Sequence, residues 1–424
     1  MLTTKDGDWG DSSPKDGYVP FYVIRGADFP AVRVGDVSSV PICYLNKNTV
    51  DRRTLQPDDI IIETAGGNRG RPTGRTLLLT HNILKQFDLP STCASFSRFL
   101  RIDPEKADPK YVFWYLQYLY SRGEMWEYQV QHTGVARFQY TVFANTIEIP
   151  LPPLPTQHAI ARILGSLDDK IELNRQMNET LEAMARAIFQ SWFVDFDPVR
   201  AKAEGRDTVL PPEIAALFPD GFEEVNGREV PRGWRIKPLD QIATFLNGLA
   251  LQKYPPNGED YLPVIKIAQL HKGDTEGSDK ASTQIPPEYK VNDGDILFSW
   301  SGSLEVVIWC GGKGALNQHL FKVSSEKYPK WFYYLWVLHH LSDFQLIAEG
   351  KATTMGHIQR HHLSDAMVVV PHDNQIIAMD KIFSPLLNKI VSTNVESRML
   401  TQIRDALLPK LMSGEIKVGD VEGT

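Results

Sequence analysis

The chain has 424 residues, too many for one ordinary core, so two to four domains are expected. Its apolar fraction of 42% and charged fraction of 23% are those of a globular chain. No apolar run is long enough for a membrane span and no basic-then-apolar leader opens it, which points to the cytoplasm and to no membrane partner.

The formal charge of −7 argues against strong non-specific nucleic-acid affinity, but the acid is unevenly placed. Residues 1–150 carry 17 basic and 17 acidic side chains, 151–230 carry 8 and 14, 231–371 carry 14 and 14, and 372–424 carry 6 and 7. The two large segments are neutral, and a neutral domain can still present a basic face. Cys43, Cys93 and Cys310 are far apart and odd in number, without metal-site spacing, and are expected to be small buried hydrophobes.

In chain order, Tyr18–Ile24 reads as a strand and Asp59–Glu63 as a short buried run. Thr64–Gly74 is a Gly-rich loop, Pro109–Leu116 an aromatic helix, and Ile147 and Ile149 a closing strand. The second half repeats this order. Tyr261–Ile267 answers the first strand, Asp295–Phe298 the buried run, Ser301–Ser303 the loop and Pro329–Trp336 the aromatic helix. The offset drifts from 243 at Tyr18/Tyr261 to 236 at Asp59/Asp295 and 220 at Pro109/Pro329. Insertions are therefore concentrated among the strands and loops, as expected of two copies that share a scaffold and differ in what their loops touch.

The helical part keeps register. Leu167-Asp-Asp-Lys-Ile171 recurs as Leu386-Leu-Asn-Lys-Ile390, 219 residues on. At that offset Ile160, Ile163, Leu164, Leu181, Met184, Ile188, Phe189 and Trp192 fall on Met379, Ile382, Phe383, Leu400, Ile403, Leu407, Leu408 and Leu411. A repeat this long is not a solenoid, whose units run roughly 20–50 residues. It is a duplicated domain-plus-helix with near two-fold symmetry, a symmetry that B-DNA shares.

Ile160, Leu167, Leu181 and Ile188 form one heptad row, and Leu164, Ile171, Ala185 and Trp192 another. Asn174 and Asn178 interrupt the rows, and Thr393 and Ser397 interrupt the second copy at the same places. These helices are expected to pair as an antiparallel coiled coil with a central polar layer, through Ile160, Leu164, Leu167, Ile171, Asn174, Asn178, Leu181 and Ile188 of one helix. Phe383, Leu386, Ile390, Leu400, Ile403 and Leu407 are their counterparts. Antiparallel pairing would put the two globular domains at opposite ends of a rod roughly 55 Å long. Two half-sites one turn of DNA apart lie about 34 Å from each other. Pro385 falls inside the second helix and should kink it.

Enzymatic signatures are missing. Gly66-Gly-Asn-Arg-Gly70 lacks the ending of a phosphate-binding loop, and no Asn-Pro-Pro-Phe/Tyr or Asp-Pro-Pro-Tyr tetrapeptide of an amino-methyltransferase is present. Pro57-Asp58 with Glu63-Thr-Ala65 has Ala65 where a nuclease core needs Lys. His339-His340 and His361-His362 are adjacent pairs, not the one-face spacing of a metal site, so no metal is expected. Pro150–Pro155 reads as a rigid lead into the first helix.

The candidate readers of nucleic acid lie in loops. Asn68, Arg69, Arg71, Thr73 and Arg75 form a Gly-spaced basic loop, in which Arg suits guanine and Asn adenine, while glycines admit close backbone approach. Arg137, Phe138, Gln139 and Tyr140 match His357, Ile358, Gln359 and Arg360, each set after a Gly/Thr turn (His132–Gly134 and Ala352–Thr354). Trp300, Ser301, Ser303, Asn317, Gln318 and His319 are further candidates in the second half. The alternative for each is an exposed, solvated loop.

Three stretches carry a family resemblance: Leu151-Pro-Pro-Leu-Pro-Thr-Gln157, Ala161–Asn174 and Met184–Pro198. They resemble the central region of a Type I restriction–modification specificity subunit, and Ile403–Ile416 is similar to that family's distal region. The resemblance covers nearly the whole chain. It implies an α+β fold: two α/β target recognition domains, 1–151 and 231–371, separated by the helical spacer regions 152–230 and 372–424. Each domain would read one half of a bipartite site in double-stranded DNA, and the paired helices would set the spacer.

The resemblance also implies a non-catalytic chain with no cofactor of its own. Its partners would be two methyltransferase subunits, which bind S-adenosylmethionine and methylate adenine at N6, and two ATP- and Mg-dependent motor-nuclease subunits. The acidic, apolar helices would dock the methyltransferases. One departure is plain: the second half opens with Pro231-Arg-Gly-Trp-Arg-Ile-Lys-Pro-Leu-Asp-Gln-Ile-Ala243, which has no counterpart before Tyr18. A DNA-modifying enzyme with its own recognition domains, and a symmetric adaptor that never touches DNA, are the alternatives from other classes.

Overall fold

A computed structural model describes residues 3–67, 70–131, 135–350 and 356–419. The chain divides into two units, Met1–Glu172 with Leu400–Thr424, and Leu173–Met399. The first unit's strands are β1 (Thr3–Asp6), β2 (Tyr18–Ile24), β3 (Ile42–Asn46), β4 (Ile60–Glu63), β5 (Ala65–Gly67), β6 (Thr76–Leu78), β7 (Ser91–Cys93), β8 (Ser97–Arg101), β9 (Gln129–Gln131) and β10 (Ala136–Phe138). The second unit's are β11 (Phe222–Val225), β12 (Arg228–Pro231), β13 (Arg235–Pro238), β14 (Thr244–Asn247), β15 (Leu262–Ile265), β16 (Lys280–Ala281), β17 (Lys290–Val291), β18 (Ile296–Ser299), β19 (Val306–Ile308), β20 (Gly314–Leu316), β21 (Leu320–Ser324) and β22 (Met367–Val370). Four helices matter here: α1 (Pro109–Ser121), α2 (Leu154–Phe189), α3 (Lys330–His339) and α4 (Asp373–Ser413).

The duplication is visible in the sheets. One four-stranded sheet has the order β1-β8-β4-β6 and its counterpart β14-β21-β18-β19, all antiparallel. A second pattern, one antiparallel and one parallel neighbour about a central strand, recurs in β3-β2-β7 and β16-β15-β20. β4 and β18 are apolar without alternation because both faces are buried. Ile60 and Ile62 enter the core beneath α1, while Ile61 enters the core of Ile24, Leu77 and Phe99 on the other face. Ile296 and Phe298 likewise face the α3 core, and Leu297 faces Leu316 and Trp309.

α1 starts where Asp108 caps it, accepting from the Lys110 amide at 2.7 Å with Pro109 in the first turn. Its aromatic residues are buried on nearly every side because sheet and α2 enclose it; Tyr111 packs with Ile160 and Leu164 of α2. In the second unit Trp331 of α3 stacks on Phe383 of α4, with centroids 4.2 Å apart, and its indole N–H donates to Asp380 at 3.0 Å. Each aromatic helix is thus fastened to the first turns of the long helix that follows it.

The long helices meet through polar groups. In the second unit Thr393 donates to Asn178, whose amide donates to Asn394 at 2.8 Å, and Asn174 donates to Glu396 at 3.0 Å. The numbers rise on one helix as they fall on the other, so the pairing there is antiparallel. Glu396 and Asn394, besides Thr393, supply the partners of this polar layer. In the first unit Asp168 of α2 accepts from Arg404 of α4 and from Arg33 at 2.7 Å.

Several expectations need correction. Ile403 is 48% exposed, because a seven-residue pattern drifts about 20° per heptad around a helix of 3.6 residues per turn. Leu408, Leu411 and Met412 turn inward there instead. α4 runs uninterrupted through Pro385. Ile147 and Ile149 form no strand, since the segment that pairs with the equivalent β22 is β13, and the first unit contains no such strand among the described residues. Thr3–Asp6, unread in the sequence, is the repeat of β14. Only Cys93 is fully buried, its thiol pushed up to about 12 by desolvation; Cys43 and Cys310 are half-buried.

Arg398 ties α4 to the second domain, donating to both oxygens of Asp293 at 2.7 Å and to the Cys310 carbonyl. These bonds hold Asp293 below the usual carboxylate range. A carboxylate shifted down stabilises the fold above its unfolded pKa, about 3.9, and loses that contribution as pH falls through its folded value. Asp293→Asn should therefore lower the melting temperature at pH 7, and the gap from the parent should close below about pH 4; a gap independent of pH would exclude the ion pair as its source. Asn178→Ala should cost about 1–3 kcal/mol by removing the donor to Asn394 and the side-chain partner of Thr393, whose hydroxyl then falls back on the Lys389 carbonyl. The double change Asn178→Leu with Thr393→Val should recover part of it in denaturant titrations, since it removes both buried members of the network and leaves only the half-buried Asn394 to turn to water.

Candidate nucleic-acid interface

The scaffold brings the two candidate sets to the same topological place. In the first unit the Thr64 amide donates to the Phe96 carbonyl at 2.8 Å, and Phe138 donates to the Thr64 carbonyl at 2.8 Å. In the second, the Trp300 amide points to the His319 carbonyl at 3.4 Å, and Ile358 donates to the Trp300 carbonyl at 3.0 Å. Ala65 pairs with Arg137 as Ser301 pairs with His357. Three chain segments that are distant in sequence thus converge twice, around different side chains.

In the first unit β5, β10 and β9 form a small sheet. Within β10, Ala136 and Phe138 are buried and Arg137 between them is exposed, as strand alternation requires. Phe138 rests on Tyr128 and Phe143, which gives Arg137 a rigid base. Gln139 is exposed beside it, and Tyr140 lies under the Arg98 guanidinium, 4.2 Å from the ring centroid. Asn68 and Arg69 lie outside the described residues, as do His132–Gly134 and Ala352–Thr354.

The described part of the basic loop divides into buried anchors and an exposed arginine. Glu63 is 3% exposed and receives Arg75 through two hydrogen bonds of 2.8 and 2.9 Å, while Arg75 also donates to the Gly26 carbonyl. Arg75 is therefore a structural counter-charge, since a buried carboxylate needs a partner. Gly66 passes over this pair at φ 122°, in the region where a side chain would be strained and would meet Glu63. Thr73 is wholly buried, its amide and hydroxyl held by Gln129 at 2.8 and 3.2 Å. Arg71 remains 41% exposed, steadied by the Gly66 carbonyl at 3.2 Å and by the outer edge of Glu63 at 3.8 Å.

The second unit builds its site on Trp300. The indole N–H donates to Asn247 at 3.0 Å and to the Gln318 carbonyl at 3.2 Å, and the ring is flanked by His319 and His357, with centroids 5.9 and 6.4 Å away. Ser301 and Asn317 are nearly buried. The Ser301 hydroxyl meets His319 Nδ1 at 3.0 Å, and Asn317 accepts from the His319 amide at 3.2 Å. Both therefore position His319. Gln318 is half-buried, Ser303, Gln359 and Arg360 are exposed, and Arg360 lies over Phe321.

Sequence reading missed Asn247, and in the first unit an exposed aromatic pair, Trp9 and Phe96, with centroids 5.6 Å apart. The signal was present: β7 and β8 match β20 and β21 at an offset of 223, which carries His319 onto Phe96. Among the described residues no group of three or more His, Cys, Asp or Glu could hold a metal ion, and no helix is long and apolar enough to cross a membrane.

The arrangement offers exposed Arg and Gln, with half-buried Trp300, His319 and His357 in the second unit and exposed Trp9 and Phe96 in the first, the side-chain types that read base edges and stack on bases. Comparison with known proteins agrees with the duplication. The family described as the Type I restriction modification DNA specificity domain matches residues 23–183 and again 231–400. The Type I restriction enzyme MjaIX specificity subunit of Methanocaldococcus jannaschii is 27% identical over 324 residues, covering 72% of this chain and 70% of that one. The HindI specificity subunit of Haemophilus influenzae is 29% identical over 326 residues, covering 64% and 70%. A crystal structure of a Type I restriction–modification S subunit from M. genitalium shares the fold, with a TM-score of 0.53 at 16% identity over 96% of this chain and 93% of that one. With the family's domain matched in both halves, the chain belongs to the Type I restriction–modification DNA specificity family.

Proposed function

We propose that this chain is the specificity subunit of a Type I restriction–modification complex, and that each unit reads one half of a bipartite duplex site. The observation that carries this reading is the repeated convergence of three segments, with Arg137, Gln139 and Arg71 on one copy and Trp300, His319, His357 and Arg360 on the other. Two identical sites would read a palindrome, whereas two different ones on one scaffold suit an asymmetric target.

The chain itself catalyses nothing and binds no cofactor; S-adenosylmethionine, ATP and Mg belong to two methyltransferase and two motor-nuclease partners. Support for partner docking comes from Leu173, Met184, Ile377 and Met399, large apolar side chains between 48% and 68% exposed on the long helices. The neutral domains support it too, because phosphate neutralisation must then be shared with partners. α2 and α4 each contribute residues to both units, which suits them to set the spacer.

The reading is tested by mapping N6-methyladenine in cells expressing this chain with its methyltransferase partner, against cells lacking the chain. A bipartite motif that vanishes with the chain is expected; an unchanged methylome would sink the proposal. In the same assay Arg137→Ala should relax one half of the motif and Trp300→Ala the other, each lost contact costing about 1–3 kcal/mol of discrimination. Loss of selectivity at both halves from either change would contradict the assignment of one unit per half-site. Arg75→Ala should behave differently, lowering the thermal stability of the first unit by stripping buried Glu63 of its two hydrogen bonds and leaving it only Arg71, at 3.8 Å. Inserting four residues near Thr180 should lengthen the spacer with both half-sites kept, and an unaltered spacer would refute the helices as its measure.

A further inference from the structure

The two units share a scaffold but differ at one place. In the second, β13 covers β22, with Arg235 opposite Val370, Ile236 opposite Val369, Lys237 opposite Val368 and Pro238 opposite Met367. Just ahead of that strand Trp234 is 2% exposed, its ring 5.8 Å from Phe193 and 6.1 Å from Phe196. It belongs to the core that also holds Trp192, Trp331, Val370 and Met379.

The first-unit equivalent of β22 is Ile147–Pro150, at the same offset of 220 that relates the aromatic helices. Its backbone is extended at Ile147, with φ −78° and ψ 123°, and it keeps the alternation Ile-Glu-Ile-Pro. Among the described residues no strand pairs with it, and Glu148 and Ile149 make no backbone hydrogen bond. Beside this edge opens a groove of about 630 Å³ lined by Tyr111, Pro150, Ile160, Leu411, Met412 and Ile416. Tyr111, Pro150 and Ile160 repeat Trp331, Val370 and Met379, and Leu411 and Met412 repeat Trp192 and Phe193. Groove and edge are thus the repeat of the place that Trp234 and β13 fill, with Phe196 and Phe218 beside them, in the second unit.

We infer that this groove and strand edge form an acceptor site for an added extended peptide that carries a tryptophan, of the pattern Trp-basic-apolar-basic-Pro shown by Trp234–Pro238. An open edge offers main-chain hydrogen bonds to an incoming strand, and a neighbouring pocket selects its side chains. A volume within the roughly 300–1,000 Å³ of ligand-sized sites accepts an indole, whose burial removes about 150–250 Å² from water. The occupant is a protein segment rather than a small apolar molecule because the unpaired main chain of Glu148 and Ile149 adjoins the groove. This site is independent of DNA reading and stands or falls without it.

The test is a synthetic peptide of residues 229–243, fluorescently labelled and titrated into the full chain, with amide exchange followed by mass spectrometry. Saturable binding is expected, with a raised melting temperature and exchange slowed at least tenfold at the amides of Glu148 and Ile149, the Ile147 amide being already bonded to Phe143. The same peptide with Trp234→Ala should bind at least tenfold more weakly. No saturable binding, binding indifferent to Trp234→Ala, or protection confined to Met367–Val370 by displacement of the chain's own β13 would each overturn the proposal.

Discussion

Everything in this protein depends on the first turns of each long helix being part of a domain core. Trp331 lies flat against Phe383 and donates to Asp380, so α3 cannot shift without dragging α4. In the first unit the hold is achieved differently. Gln157 of α2 is buried and accepts from the Asp108 amide, at the residue that caps α1. A side chain that nucleates one helix is thereby fixed by the start of another. The site loops inherit this rigidity, because the sheets under them share the same cores. A reader needs that property, since discrimination between bases is lost when the reading groups are free to move.

Much of this was legible in the sequence because it depends on periodicity and on order. The buried runs at Ile60–Ile62 and Ile296–Phe298, the aromatic helices and the long helices all announced themselves through apolar pattern. Repetition at a distance then gave the duplication. What was not legible depended on pairing between remote segments. Ile147 and Ile149 have the composition of a strand, yet a strand exists only where a neighbour supplies hydrogen bonds. Thr3–Asp6 has no such composition and becomes a strand because Ser97–Arg101 lies beside it.

The candidate site shows the same division. Position along the chain located the loops, but could not separate Arg71 from Arg75, two arginines four residues apart with opposite fates. Both face Glu63, but Arg75 holds it through two hydrogen bonds while Arg71 lies 3.8 Å away, and the burial of Glu63 that sets this difference is a tertiary fact. Ser301 and Asn317 likewise carry the right chemistry for reading bases but spend it on His319. Asn247 and Phe96 were overlooked because they lie on strands and turns with no basic or Gly-rich signature.

The clamp of Arg75 on Glu63, with Thr73 held by Gln129, has a consequence for how this protein can change over generations. Both ends of the basic loop are secured by groups that belong to the fold, and Ala65, Gly66 and Pro72 between them are fixed by burial or by backbone, so the fold is least demanding at exposed positions such as Gly70. Selection can revise those exposed positions at less risk to stability than the buried ones beside them. The anchors themselves are closed to such drift. New preferences in a lineage should therefore arise as clustered changes inside the clamp, with Glu63, Thr73 and Arg75 inherited unaltered.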